Sequence, residues 1–167
     1  MSARKSEGPS LFASPDAEPL AARMRPETLE DVVGQQHLLA AGRPLGDAIR
    51  RGTIGSVILT GPAGTGKTTI ASLIGRYTKQ VVVSLNAVTD GIPRLRAIVD
   101  EAAERRDFDG TRTLVVVDEI HRWARSQQDA LLPHVERGVI TLCGATTDVP
   151  AFAVVGALLS RCRVYAL

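Results

Sequence analysis

Gly61-Pro62-Ala63-Gly64-Thr65-Gly66-Lys67-Thr68-Thr69 decides how this chain is read. The stretch fits G-x-x-x-x-G-K-[ST], with Gly61, Gly66, Lys67 and Thr68 in register. The apolar run Val57-Ile58-Leu59 precedes it, and the helix-compatible run Thr69-Ile70-Ala71-Ser72-Leu73-Ile74 follows. Strand, glycine-rich loop and helix in that order make a phosphate cradle. A triphosphate is dense negative charge, and backbone N–H groups at a helix N-terminus complement it. Gly61, Gly64 and Gly66 admit the phosphates close to the backbone, and Pro62, Ala63, Thr65 and Thr69 complete the loop. Lys67 can reach the β- and γ-phosphates, and the Thr68 hydroxyl can bind Mg²⁺. The loop therefore predicts ATP, its product ADP, and Mg²⁺ as ligands.

Leu114-Val115-Val116-Val117-Asp118-Glu119 supplies the second half of such a site. Four apolar residues running into two acids read as a buried parallel strand with carboxylates at its end. Ligands of open α/β sheets bind outside the carboxyl ends of the strands, which puts Asp118 and Glu119 beside the loop. Asp118 would hold the Mg²⁺ shell, largely through water. Glu119 would orient or deprotonate the attacking water.

The surrounding pattern alternates strand and helix. Strands are expected at Ser56–Thr60, Val81–Leu85, Thr113–Asp118, Val139–Ala145 and Arg163–Leu167. Helices are expected at Lys67–Tyr77, Ile92–Arg106 and Ser126–Arg137, with one from Arg43-Pro44 to Gly52 and a short one near Val155–Leu159. This predicts an α/β three-layer sandwich around a central parallel five-stranded sheet. Residues 1–19 are rich in Ser, Ala and Pro and are expected to be a disordered lead-in to a nucleotide-binding domain at 20–167.

With 167 residues, 44% hydrophobic content and 23% charge, the chain has the make-up of a single soluble domain. A net charge of +2 does not by itself argue for nucleic acid. No apolar run is long enough for a membrane span, and Met1 to Ala22 has no signal-peptide core. Cys143 and Cys162 lack metal-ligand spacing, and Cys143 reads as a small core residue. A reduced, cytoplasmic setting fits.

Other strand ends carry candidate polar groups. Thr146-Thr147 closes the fourth strand, where a hydroxyl can contact the γ-phosphate or water or simply satisfy a turn. Asn86 closes the second strand, where it can bond Glu119 or form a turn. Arg161 precedes the last strand and on composition alone is a surface charge. His121 completes a D-E-x-H string also found in superfamily 2 helicases, although the long phosphate loop suits another branch. His121 reads equally as a polar contact near the phosphates or as a helix-start histidine. Arg94, Arg96, Arg105 and Arg106 alternate with Asp100, Glu101, Glu104 and Asp107, the pattern of a solvated helix face.

MRPETLEDVVGQQHLL (24–39), GPAGTGKTT (61–69), VVVDEIHR (115–122), QQDALLPHVERG (127–138), CGATTD (143–148) and ALLSRCRV (157–164) together resemble AAA+ ATPases of the clamp-loader clade. Within that clade the chain resembles more closely the Werner-helicase-interacting family and its bacterial replication-associated relatives. The likeness runs from about Pro19 to Leu167. The resemblance implies an adenine-side element around Arg25, Pro26 and Val33, a sensor at Thr147 and an arginine finger at Arg161 serving a neighbouring subunit. It also implies that Asn86 is a switch able to hold Glu119 away from water. Departures from the family pattern are Thr60 before the loop, Ala63 within it, Trp123-Ala124 after the His-Arg pair, and Asp148-Val149-Pro150 after Thr-Thr. A helical lid and a C-terminal oligomerisation domain, usual in the family, are not expected within these residues.

The resemblance implies an ATPase coupled to replication-fork maintenance, recombination and repair. Its partners would be forked or single-stranded DNA, replication and repair proteins such as single-strand-binding protein, and further copies of the chain. Its place would be the cytoplasm at the nucleoid, with no membrane. Two alternatives stand beside this. One is a clamp-loader or Holliday-junction branch-migration type of motor subunit. The other is a nucleotide-binding module with little hydrolysis alone.

Overall fold

A computed structural model describes residues 24–167. The expected lead-in at 1–19 lies outside the described residues. Five strands form one sheet: β1 Val57–Thr60, β2 Val81–Asn86, β3 Thr113–Asp118, β4 Ile140–Thr146 and β5 Arg163–Ala166. Their order is β2-β3-β4-β1-β5 and every neighbouring pair is parallel. The chain leaves β1 for the far edge at β2 and works back through β3 to β4. The carboxyl ends of β1 and β3 therefore flank that of β4, at the topological switch where α/β sheets bind ligands.

Strand alternation divides the core in two. Ile58, Val115, Val117 and Leu142 face one side, and Val57, Leu59, Leu114, Val116 and Cys143 face the other. The second face is covered by α1 Gln36–Leu39, α2 Pro44–Arg50 and α3 Lys67–Thr78. On α3, Ile70, Leu73 and Ile74 recur at helical spacing and are fully buried. Each such aliphatic contributes about 1.5–3 kcal/mol, so three of them clamp the phosphate-loop helix to the sheet.

The first face is covered by α4 Ile92–Asp109, a 3-10 turn at Ile120–Arg122, α5 Arg125–Asp129, α6 Leu132–Glu136, α7 Pro150–Ala153 and α8 Gly156–Leu159. Leu95, Ile98, Val99 and Ala102 of α4 pack there with Leu131 and Leu158. The result is the expected three-layer α/β sandwich.

The helix expected over 126–137 is two helices. Pro133 has no N–H for the Asp129 carbonyl, and its ring crowds that carbonyl, so α5 stops and α6 starts anew. Helix α4 runs past Arg106 to Asp109, where Gly110 takes the left-handed cap at φ 75°. The short helices α1 and α7 come in addition to those read from sequence.

Candidate nucleotide-binding site

The phosphate loop leaves β1 at Gly61, whose N–H donates to the Thr146 carbonyl across the sheet at 3.2 Å. Gly61 has φ 150°, and a Cβ there would stand 2.8 Å from the Leu167 carbonyl oxygen, so no side chain fits. Gly66, at φ 94°, turns the chain into α3. No side chain caps that helix start, and its first turn carries no acid. The leading N–H groups and the positive end of the helix dipole are thus left for an anion.

Lys67 is buried, and its Nζ donates to the carbonyls of Gly61 at 2.7 Å and Pro62 at 2.8 Å. Thr65 Oγ1 also donates to Pro62, at 2.9 Å. These bonds hold the loop in a tight curl over its own lysine. Gln35 Nε2 donates to the Thr65 carbonyl at 3.2 Å, tying the turn after Val33 to the loop.

Asp118 ends β3, and its Oδ1 accepts the Glu119 N–H at 3.1 Å. Glu119 sits at φ 55°, a left-handed conformation that costs a non-glycine residue about 1–3 kcal/mol. Such strain persists where the surroundings impose it, here the sharp turn from β3 into Ile120–Arg122. The turn is anchored by fully buried Ile120 and by Trp123, whose Nε1 donates to the Asp90 carbonyl at 2.9 Å.

A cleft of about 400 Å³ is lined by Ala63, Gly64, Gly66, Lys67, Thr68, Thr69, Asp118, Glu119 and Thr147. Lysine, hydroxyls and carboxylates converge there on one space. Two larger hollows, about 540 and 510 Å³, lie at the opposite end of the sheet beside Ile54, Gly55, Ser56 and Arg161. They lack a phosphate loop and paired acids, so chemistry rather than volume marks the site.

The remaining sequence candidates stand outside that cleft. Asn86 is in register with Asp118, but its Oδ1 accepts the Val88 N–H at 2.9 Å and closes a turn. Arg161 lies at the amino end of β5, a strand's length from the phosphate loop. Its Nη1 donates to the Ala157 carbonyl at 2.7 Å and to Ser160 Oγ at 3.0 Å, and its Nη2 pairs with Glu136. Val33 is 97% exposed. Arg25 and Pro26 precede residues 27–29, which are tied to the far end of α3 through Arg76 and Tyr77.

His121 belongs to the site although the sequence left it open. Its side chain is 10% exposed and touches Glu119 and Thr146. The D-E-x-H spacing carried a signal, but the contact with Thr146 needs β3 and β4 side by side. Two family departures meet here as well, where Thr60 Oγ1 donates to the Asp148 carbonyl at 3.0 Å.

Parallel sheet, phosphate loop and acid pair define a P-loop nucleoside triphosphatase fold of the AAA+ kind. The model of the ATPase family associated with various cellular activities (AAA) matches residues 57–166, and the chain belongs to that family.

Replication-associated recombination protein A of Escherichia coli is 53% identical over 156 residues, covering 93% of this chain and 35% of that protein. ATPase WRNIP1 of Dictyostelium discoideum is 40% identical over 154 residues, covering 92% of this chain and 18% of that protein. The RuvB Holliday junction branch migration motor of Thermotoga maritima matches in structure with a TM-score of 0.66 at 27% identity. That match covers 86% of this chain and 48% of RuvB. The chain spans about a third or less of the length of these two curated relatives.

Among the described residues no helix is long and apolar enough to cross a membrane.

Proposed function

We propose that this chain is an ATP-hydrolysing core coupled to replication-fork maintenance, recombination and repair. The convergence of Lys67, Thr68, Asp118, Glu119 and Thr147 on one cleft carries the ATPase reading. The names of the relatives carry the replication role.

Water attacks the γ-phosphorus in line with the leaving ADP oxygen. Glu119 orients that water and takes its proton. Lys67, once released from the Gly61 and Pro62 carbonyls, neutralises charge on the β- and γ-phosphates. Thr147 bonds the γ-phosphate or the water. Hard oxygen donors at Thr68 and Asp118 suit Mg²⁺. When bound, Mg²⁺ neutralises the phosphate oxygens. Arg161 faces away from its own cleft and acts as a finger on the γ-phosphate of a neighbouring copy, so hydrolysis by separated chains is weak. Val33, with Arg25 and Pro26, borders the adenine side. Asn86 would act as a switch holding Glu119 away from water only after its Oδ1 releases the Val88 N–H. The working assembly is a homo-oligomer on forked or single-stranded DNA, at the nucleoid in the cytoplasm, with single-strand-binding protein among its partners.

The pairing of Arg161 with Glu136 favours a second reading, a nucleotide-binding module with little hydrolysis alone. The likeness to RuvB supports a third, a motor subunit of the branch-migration or clamp-loader type.

ATP turnover against protein concentration, with and without forked DNA, separates these readings. A rate per subunit that rises with concentration and with DNA, and collapses in Glu119→Gln, supports the ATPase. Tight ATP binding with a flat, negligible rate overturns it in favour of the module.

A further inference from the structure

We infer that His121 is the positioning residue for Glu119 and joins it to the end of β4. This rests on the ATPase reading of the cleft.

The Nε2 atom of His121 lies 3.2 Å from Glu119 Oε2, and its Nδ1 lies 2.9 Å from Thr146 Oγ1. A carboxylate only accepts hydrogen bonds, so Nε2 carries the ring hydrogen. In the neutral ring Nδ1 then accepts, and the Thr146 hydroxyl donates to it. Thr146 Oγ1 in turn accepts the Asp148 N–H at 3.0 Å. One directed chain therefore runs from Asp148 N–H through Thr146 and His121 to the carboxylate of Glu119, with a donor and an acceptor at every link.

The far end of this chain is rigid. Thr146 is fully buried, pairs with Thr60 in the parallel sheet, and accepts the Gly61 N–H of the phosphate loop through its carbonyl. Its hydroxyl serves His121 while its backbone serves the loop. Thr147, the next residue, lines the cleft. Glu119 by contrast stands on a left-handed residue, and its side chain is 32% exposed. Among the described residues, the contact made by its carboxylate is with His121. Asn86 directs its side-chain oxygen to Val88 instead. A movement at the end of β4 thus reaches the Glu119 carboxylate through the imidazole. Asp148 Oδ2, 4.0 Å from the same Nε2, is the other carboxylate facing it.

Two near-isosteric replacements separate the links. His121→Gln places an amide near Nε2 and can still bond Glu119. His121→Asn places one near Nδ1, keeping Thr146 and losing Glu119. In turnover assays, His121→Asn is expected to lose kcat by up to about 100-fold, the scale of a misplaced reacting group. Its KM for ATP, and its Kd for a non-hydrolysable ATP analogue, are expected to stay at wild-type values. His121→Gln is expected to recover most of kcat. Equal kcat in the two variants, whether both intact or both lost, overturns the inference, as does parallel loss of nucleotide binding.

Nitrogen-15 spectroscopy of the imidazole gives a readout free of turnover. The Nε2–H tautomer is expected, with a signal that moves in Glu119→Gln. The Nδ1–H tautomer overturns the inference. Absence of wild-type turnover together with the Nε2–H tautomer would sink the ATPase reading and leave the contact standing.

Discussion

The Arg161 guanidinium is ion-paired with the Glu136 carboxylate at the amino end of the sheet, while Glu119 stands at the carboxyl end. Four residues of parallel strand span about 13 Å, so Arg161 does not reach the γ-phosphate of its own cleft. Both partners of the pair are well exposed, at 39% and 46%. Exposed pairs are worth about 0–1 kcal/mol, so on the proposed assembly a triphosphate presented by a neighbour would outcompete Glu136. Arg161→Ala is expected to lower turnover by about 10³-fold, the low end for arginine fingers, with ATP affinity unchanged. Mixing Arg161→Ala with Glu119→Gln should restore activity, because an interface between them unites an intact Glu119 with an intact Arg161. Two inactive variants that stay inactive when mixed would rule out a finger acting between subunits.

Gly144 packs against the Ile120 side chain that follows Glu119. A Cβ there would meet Ile58 Cδ1 at 2.6 Å and Ile120 Cδ1 at 3.2 Å. Ile120 is fully buried and immediately follows Glu119. Gly144→Ala is expected to cost about 1–3 kcal/mol by overpacking. In a chain of this size each kcal/mol lowers Tm by about 2–4 °C. Thermal unfolding checks the stability loss. Turnover of the folded variant should fall too, since the turn that carries Glu119 is pushed outward.

The phosphate loop and the acid pair were legible because their chemistry is contiguous. Lys67 and Thr68 adjoin Gly66, and Asp118-Glu119 closes an apolar strand. The parallel five-stranded sheet followed from alternation for the same local reason. What the sequence hid depends on strand order. His121 meets Thr146 across 25 positions, and Gln35 meets Thr65 across 30. Neither pairing has a spacing rule. Asn86 was placed correctly at the end of β2, but where its side chain turns is a contest with the Val88 amide that composition does not decide. Pro133 lies inside the helix expected at Ser126–Arg137, and its missing N–H divides that helix in two. Leu131, Leu132 and Val135 still pack into the core from the two short segments.

Trp123, one of the departures from the resembled family's pattern, ties the Glu119 turn to the loop after β2. Its Nε1 bond to the Asp90 carbonyl, at 2.9 Å, has no counterpart in phenylalanine. Trp123→Phe leaves that carbonyl without its donor and removes buried ring volume. The Asp90 carbonyl is only part-buried, so the expected cost is about 1–2 kcal/mol, from the lost bond and the lost buried ring volume. Denaturant unfolding followed by circular dichroism measures it. A variant as stable as the parent would show that the Asp90 carbonyl finds another donor.

Burial favours the protonated thiol at both cysteines, fully buried Cys143 and half-buried Cys162. The Cys143 thiol, fully buried in β4, is pushed up to about 12 from 9.0. Burial likewise pushes Cys162 up to about 11. The thiolate is the reacting species, so a neutral-pH label should spare fully buried Cys143 in the native state and modify half-buried Cys162 only slowly. Both should react at ordinary rates once the chain unfolds. The same shifts set a pH dependence. Folding favours the protonated thiols, so their stabilising contribution is complete below about pH 9 and fades as pH rises through 11 and 12. Labelling of Cys143 with a chromogenic disulfide across a urea series should therefore coincide with the fluorescence transition of Trp123, the chain's single tryptophan. Rapid labelling of Cys143 before that transition would show that the β4 face opens without global unfolding, contrary to the packing described.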